Sequence, residues 1–257
     1  MRKPMIAGNW KMHKTINEAE ELVNGLKKEL ALTPSVDVVV CPVFTALNSV
    51  FNCISDTDIG LGAQDIYWEK QGAFTGEISP VMLKDAGCEY VIIGHSERRK
   101  YFCETDETVN KKIKAALEVG LIPIMCVGES LEQREKDETL KVVTAQLEGG
   151  FQGIEQFQAM EVIIAYEPLW AIGTGKTATP DQAEEVHKAI RSWIREKYAE
   201  GAAEKMRILY GGSVKPDNIK ELISQEDIDG GLVGGASLKA DSFIALAKNA
   251  VIQEENV

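Results

Sequence analysis

Glu167 stands where an apolar, β-branched run, Val162-Ile163-Ile164-Ala165, gives way through Tyr166 to Pro168. Such a run reads as a fully buried strand, and the proline stops further strand pairing, so the carboxylate is held at a defined strand exit. The segment beyond carries Leu169, Trp170, Gly173 and Gly175, and ends at Thr179-Pro180-Asp181-Gln182. That ending is a helix N-cap with proline at the first helical position and glutamine three residues on. A carboxylate at a strand end, under a loop with rigid ends, suits proton transfer; a surface glutamate beside an ordinary connector is the plainer alternative. His95 ends another apolar run and precedes Ser96-Glu97-Arg98-Arg99. Its imidazole can act as acid or hydrogen-bond donor, or be a core histidine satisfied by backbone. Asn9 and Lys11 end a third run, where the lysine supplies a cation. Ser213, after Gly211-Gly212, and the pair Gly234-Gly235 present backbone N–H groups suited to phosphate near a helix N-terminus. Glu97 reads as an ion-pair partner of Lys11 or of the adjacent arginines. Glu129 leaves open a second carboxylate for a glycosidase pair.

All of these residues follow strands, and the chain supplies eight of them. Residues 5–10, 36–41, 59–63, 89–93, 121–127, 162–165, 206–210 and 228–233 are short and largely apolar, several of them rich in Val and Ile. Helical stretches alternate with them. Thr15 and Glu18 form a capping box ahead of Ala19, Leu22, Val23, Leu26 and Leu30 at helical spacing. A weaker helix covers 46–54, and a short one opens at Ser79-Pro80. Thr105 caps a helix that ends before Gly120, with Asp106 and Glu107 in its first turn. A charged helix spans 131–147, and Ala183, Val186, Ile190, Trp193 and Ile194 mark the buried face of the next. A short helix near 216–223 and a last one from about residue 241 complete the pattern. Alternation of this kind implies parallel pairing with right-handed crossovers, and eight units in about 250 residues fit a closed (β/α)8 barrel. The rival is an open doubly wound sheet, but no strand leads into a Gly-x-Gly-x-x-Gly turn with an acidic residue about 20 positions on. The expectation is one α/β barrel domain over residues 1–257, with its strand C-termini gathering Asn9, Lys11, His95, Glu167, Ser213, Gly234 and Gly235 at one face.

Composition narrows the function. The formal net charge is −12 and no Lys/Arg-rich segment occurs, which argues against nucleic acid or membrane headgroups as partners. No apolar run reaches membrane-spanning length, and the N-terminus lacks a secretory signal core. The five cysteines are odd in number and widely spaced, which fits neither a disulfide framework nor a zinc site and points to a reducing cytoplasm. With three histidines, His13, His95 and His187, the chain does not spell out a multi-histidine metal centre.

Seven segments, in order along the chain, carry a resemblance: Asn9-Trp10-Lys11-Met12, 72–79, Gly94-His95-Ser96-Glu97-Arg98-Arg99, Ala165-Tyr166-Glu167-Pro168, 170–176, Tyr210-Gly211-Gly212-Ser213-Val214 and 232–238. Together they resemble the triose-phosphate isomerase family. The resemblance implies a TIM barrel and the glycolytic and gluconeogenic interconversion of dihydroxyacetone phosphate and D-glyceraldehyde 3-phosphate, without metal or organic cofactor. It assigns Glu167 as the base, His95 as a neutral electrophile and Lys11 as the cation beside the substrate, with Asn9 next to it. Gly173, Ser213, Gly234 and Gly235 become the phosphate grip. It also implies a cytoplasmic homodimer, with Phe74-Thr75-Gly76 inserted beside the partner's site. A helical turn beginning near Ser96 should point its positive end at His95 and depress its pKa, as the handling of this family's histidine by helix ends would require. Leu169, Asp65 and His13 depart from common choices (Val, Asn, and Asn or another polar residue), which bears on hinge and assembly rather than chemistry. Two other readings fit the same residues: a Schiff-base aldolase with Lys11 as nucleophile, and a catalytically silent sensor of phosphorylated metabolites.

Overall fold

Alternate residues along each strand serve two different cores. The computed structural model describes residues 2–171 and 177–251. Its strands are Met5–Asn9 (β1), Asp37–Cys41 (β2), Gly60–Ala63 (β3), Tyr90–Ile93 (β4), Ile122–Val127 (β5), Ile163–Tyr166 (β6), Ile208–Tyr210 (β7) and Gly230–Val233 (β8). Each pairs in parallel with the next, and β8 closes on β1 in the register Met5 to Gly230 through Gly8 to Val233. Met5, Ala7, Val39, Cys41, Ile92, Ile124, Cys126, Ile163, Ala165, Leu209 and Leu232 form the cluster inside the barrel. Their neighbours Ile6, Val38, Val40, Val91, Ile93, Met125, Val127, Ile164, Tyr166, Ile208, Tyr210 and Val233 join the larger core between barrel and helices. The period of two that a pleated strand imposes thus fills both spaces with one apolar run.

The helices bury one stripe each against that outer layer. Ile16–Leu30 buries Ala19, Leu22, Val23, Leu26 and Leu30, the residues spaced for it in the sequence. Thr15 and Glu18 form the expected capping box at its start, and the Thr15 N–H and hydroxyl both donate to Glu18 Oε2, at 2.8 and 2.9 Å. Thr179 caps Pro180–Tyr198 as expected, its Oγ1 accepting from the Gln182 N–H at 3.2 Å. The charged stretch read as one helix over 131–147 is two, Leu131–Glu135 and Thr139–Gly150. Asp137, at φ 60, takes the left-handed conformation that ends the first. Short helices at Ser96–Tyr101, Gln156–Ala159 and Glu200–Lys205 were too brief to show a period in the sequence. The loop over 64–79 carries no helix or strand; it is organised by Tyr67, whose ring lies 4.0 Å from that of Trp68 and 4.7 Å from that of Phe74.

Candidate active site

The strand period that fills the barrel also aims its end residues. Continuing in steps of two from the inner cluster, β1 leads from Ala7 to Asn9 and Lys11, and β6 from Ala165 to Glu167. In the same way β7 leads from Leu209 to Gly211 and Ser213, and β8 from Leu232 to Gly234. Asn9, Lys11, His95, Glu167, Ser213, Gly234 and Gly235 accordingly line one cavity of about 350 Å³. Every expected site residue within the described chain is therefore brought together. Gly173 lies outside the described residues.

Glu167 is 2% exposed, a depth that demands partners for a carboxylate. Its Oε2 accepts the backbone N–H of Ser96 at 3.0 Å and its Oε1 the Ser96 hydroxyl at 3.3 Å. Nε2 of His95 stands 2.9 Å from Oε1. Burial pushes the Glu167 pKa up, but His95, the Ser96 N–H and the Cys126 thiol outweigh it, and the net is downward. Burial acts most strongly on Cys126 itself, holding its thiol protonated and able to donate. The backbone is packed to match: a Cβ at Gly128 would fall 1.8 Å from the Glu167 carbonyl oxygen, and one at Gly211 would fall 2.8 Å from Glu167 Cγ. Only glycine lets those two strand exits approach the base so closely.

His95 caps the helix Ser96–Tyr101, with Nδ1 accepting the Glu97 N–H at 3.2 Å. An imidazolium has no lone pair to accept that bond, so the ring that fits is neutral and carries its proton on Nε2, facing Glu167. The sequence expectation of a depressed pKa needs correction on this point. Burial does act against the charged ring, but the Glu167 carboxylate reverses that and moves the His95 pKa upward. The positive charge of Lys11 joins burial on the downward side, and the Glu97 carboxylate joins Glu167 on the upward side.

Lys11 adopts φ 51, an uncommon conformation for a lysine. It is held there by its own N–H donating to Asn9 Oδ1 at 3.0 Å and by Gln64 Nε2 donating to its carbonyl at 2.8 Å. Its Nζ meets Glu97 Oε1 at 2.6 Å, the pairing expected for Glu97. The contact engages Nζ directly, which suits a fixed cation better than an amine that must leave its partner to attack a carbonyl. A Cβ added at Gly235 would meet nothing within 4 Å, so protein packing does not impose glycine there. The residue leaves its backbone bare toward the cavity, as close approach of a ligand requires.

Glu129 is not a second catalytic carboxylate. It is fully buried and takes the Tyr166 hydroxyl at 3.1 Å and the Trp170 indole N–H at 2.8 Å. It anchors the turn Leu169–Ala171 that follows the base. Sequence reasoning missed Ser96 and Gln64 as holders of Glu167 and Lys11. Gln64 directly follows β3, so the strand-end criterion could have found it; Ser96 acts largely through its backbone N–H, which residue type does not reveal.

Comparison with known proteins agrees with this geometry. The triosephosphate isomerase family model matches residues 4–250. Triosephosphate isomerase from Geotalea uraniireducens (strain Rf4) is 58% identical over 248 residues, 96% of this chain and 99% of that protein. The protein of the same name from Carboxydothermus hydrogenoformans (strain ATCC BAA-161 / DSM 6008 / Z-2901) is 57% identical over 251 residues, 98% of this chain and 100% of its own.

Proposed function

The chain belongs to the triosephosphate isomerase family, and from that premise we propose that Glu167, His95 and Lys11 carry its interconversion of dihydroxyacetone phosphate and D-glyceraldehyde 3-phosphate. The observation that supports these roles most strongly is the 2.9 Å contact between Glu167 and His95 at the wall of a cavity also bordered by Lys11, Ser213 and Gly234. Moving a proton between adjacent carbons needs one base that reaches both, and donors for oxygens whose charge grows. Glu167 is the base. Because Ser96 and His95 occupy its oxygens, it must turn from Ser96 toward the cavity to reach a substrate carbon. His95 then gives its Nε2–H to the two substrate oxygens in turn, and the neutral ring is the better donor match for an enediolate. Lys11, oriented through Asn9 and Gln64, adds positive charge on the same side.

The phosphate does not react, so its binding energy can be used to reposition Glu167 and expel water. Backbone N–H groups around Ser213, Gly234 and Gly235 receive it, joined by Gly173. This grip needs little net positive charge, as suits a chain of −12. Glycolysis and gluconeogenesis are the setting of the reaction, and the cytoplasm is the compartment the cysteine pattern favours.

The homodimer belongs to the same proposal. Met12, Phe74, Tyr101 and Phe102 are large apolar side chains left exposed, Met12 at 92%. A second copy covering them would account for a loop over 64–79 that holds no regular element.

An assay of isomerase activity on both triose phosphates, with Glu167→Asp beside the parent, tests the site. Retracting the carboxylate by one methylene misplaces it by about 1 Å and should cost on the order of 10²-fold, mainly in kcat. An unchanged kcat would assign proton transfer elsewhere. Sedimentation of the parent checks the dimer, which a single monomer peak at micromolar concentration would refute.

A further inference from the structure

A second and larger cavity, about 700 Å³, shares Glu167 with the first but none of Asn9, Lys11, His95, Ser213, Gly234 or Gly235. It opens between the segments that follow β4, β5 and β6. Cys126, Val127, Leu131, Leu169 and Trp170 supply its apolar wall. The polar groups that reach it are already engaged. Ser96 is taken by Glu167; Arg99 donates to the Gly94 carbonyl at 2.9 Å and to Asp106 at 2.6 Å. Gln146 exchanges two hydrogen bonds with the Gly128 backbone, and Ser130 and Gln133 satisfy each other at the start of the next helix. What remains for a ligand is apolar contact area and one charge. Lys100 lines the cavity, is exposed, and among the described residues pairs with no carboxylate; its Nζ lies 5.0 Å from the centre of the Tyr101 ring.

We propose that this cavity is a binding site for a small aryl or branched alkyl carboxylate, its apolar body against Leu131, Leu169 and Trp170 and its carboxylate toward Lys100. The volume is within the range of sites that take small organic ligands, and a mostly apolar wall with one placed charge is their usual chemistry. The charge also decides between ligand classes. A chain of −12 repels anions in general, so an anion is accepted only where a local cation compensates, and Lys100 provides that here. A phosphorylated triose has no apolar body to fill the space and finds its own polar donors in the smaller cavity.

Occupancy would act on the base. Glu167 forms part of this wall, and Leu169 and Trp170 follow it after Pro168, tied to Glu129 through the backbone N–H of Leu169 at 3.1 Å and the Trp170 indole at 2.8 Å. A ligand packed against them stabilises the arrangement in which Glu167 is docked on Ser96, and so opposes its turn toward substrate. The two ligands occupy different spaces but favour opposite positions of Glu167, so each weakens the other by the same limited factor. This effect on rate rests on the isomerase reading above; binding itself does not.

The probe is 4-phenylbutyrate, added to the full chain. In a nitrogen–proton correlation spectrum the Trp170 indole signal should shift and saturate with a Kd on the order of 1 mM, as a dozen non-hydrogen atoms at ordinary ligand efficiency would give. With dihydroxyacetone phosphate at saturation the probe should still bind, at a higher but finite Kd, and kcat should fall in proportion to occupancy. Lys100→Glu should weaken binding by about fivefold or more, the worth of one exposed charge pair. Leu131→Trp should abolish binding by filling the cavity, with its melting temperature confirming a folded chain. Absence of any Trp170 shift would overturn the site. A probe Kd that climbs without limit as triose phosphate is raised would overturn it too, by placing both in the smaller cavity. Equal binding of 4-phenylbutanol would overturn the role of Lys100. Binding with unchanged kcat would overturn the coupling to Glu167, and loss of isomerase activity in the parent would instead refute the isomerase reading while leaving the binding result standing.

Discussion

The imidazole of His95 lies between two partners that ask opposite things of it. Glu167 Oε1, 2.9 Å from Nε2, favours a proton there and attracts positive charge. The Glu97 N–H, 3.2 Å from Nδ1, requires a bare lone pair. Both are satisfied by the neutral Nε2–H tautomer, which is the form able to donate to a carbonyl or enediolate oxygen without first losing charge.

Removing the carboxylate charge should therefore lower the His95 pKa. Glu167 is the influence that moves it upward against burial, and Glu167→Gln deletes that influence while keeping the shape. A histidine whose folded pKa is raised is stabilised in its charged form at low pH and loses that stabilisation as pH rises through the folded value. In Glu167→Gln the NMR titration midpoint of His95 should move to lower pH than in the parent. A midpoint that stays or rises would mean that Glu97, 3.7 Å from Nδ1, governs the ring instead.

Gly235→Ala separates ligand approach from packing. The added methyl meets no protein atom within 4 Å, so the melting temperature should hold. If triose phosphate lies against that backbone, the methyl intrudes on it, and KM should rise on the order of 10-fold, the effect of one misplaced methyl-sized group in a binding site. A normal KM would remove Gly235 from the phosphate site.

The barrel was legible because eight apolar runs alternate with helical stripes, and the period of two then fixes which end residues face inward. Asn9, Lys11, Glu167, Ser213 and Gly234 were therefore found by type and by position alike. What sequence could not show is pairing across the barrel mouth. Glu129 and Glu167 both follow strands as acidic residues, yet one accepts from Tyr166 and Trp170 in the wall and the other lines the substrate cavity. Parity explains the difference after the fact: Cys126 faces in and Val127 faces out, and continuing the alternation puts Gly128 on the inward side and Glu129 on the outward one. The His95 pKa was misjudged for a related reason, because the helix end is local in sequence and the Glu167 contact is 72 positions away.

His187 should set part of the acid limb of stability. It is fully buried, edge-on to Tyr166 with ring centres 5.8 Å apart, and its Nδ1 lies 3.3 Å from the Asp227 carbonyl. Burial holds its pKa down to about 3. As pH falls from about 6.5, the ordinary histidine value, the unfolded chain takes up a proton that the folded chain refuses, so stability declines toward pH 3. One such group costs about 2 kcal/mol between pH 6.5 and pH 5. Urea unfolding of His187→Phe, which keeps the ring contacts, should show a shallower decline than the parent over that interval. Parallel pH profiles would mean that His187 is protonated in the fold.

The last prediction concerns a buried cluster of four charges near the loop over 64–79, where Asp65 takes a position commonly held by Asn. Lys112 and Asp65 are about 95% buried, at 4% and 5% exposure, and Nζ of the lysine meets Asp65 Oδ1 at 2.6 Å. Lys112 also contacts Glu104, and Arg98 reaches Asp65 Oδ2 at 2.8 Å and Glu104 at 3.6 Å. Burial and the neighbouring Glu104 push the Asp65 pKa up even against both cations, so the carboxylates tolerate their setting only while the cations stay. Lys112→Met keeps most of the side-chain volume and deletes one of two positive charges. Two buried carboxylates would then share Arg98 alone, and breaking such a pair from one side costs about 3–5 kcal/mol. Lys112→Met with Asp65→Asn removes one charge of each sign and should recover much of that loss, because the cost comes from an uncompensated charge and not from the missing contact. Urea midpoints of the two variants and the parent measure both steps. A single variant within about 1 kcal/mol of the parent, the range of an exposed pair, would show that the cluster is solvated and does not depend on charge balance.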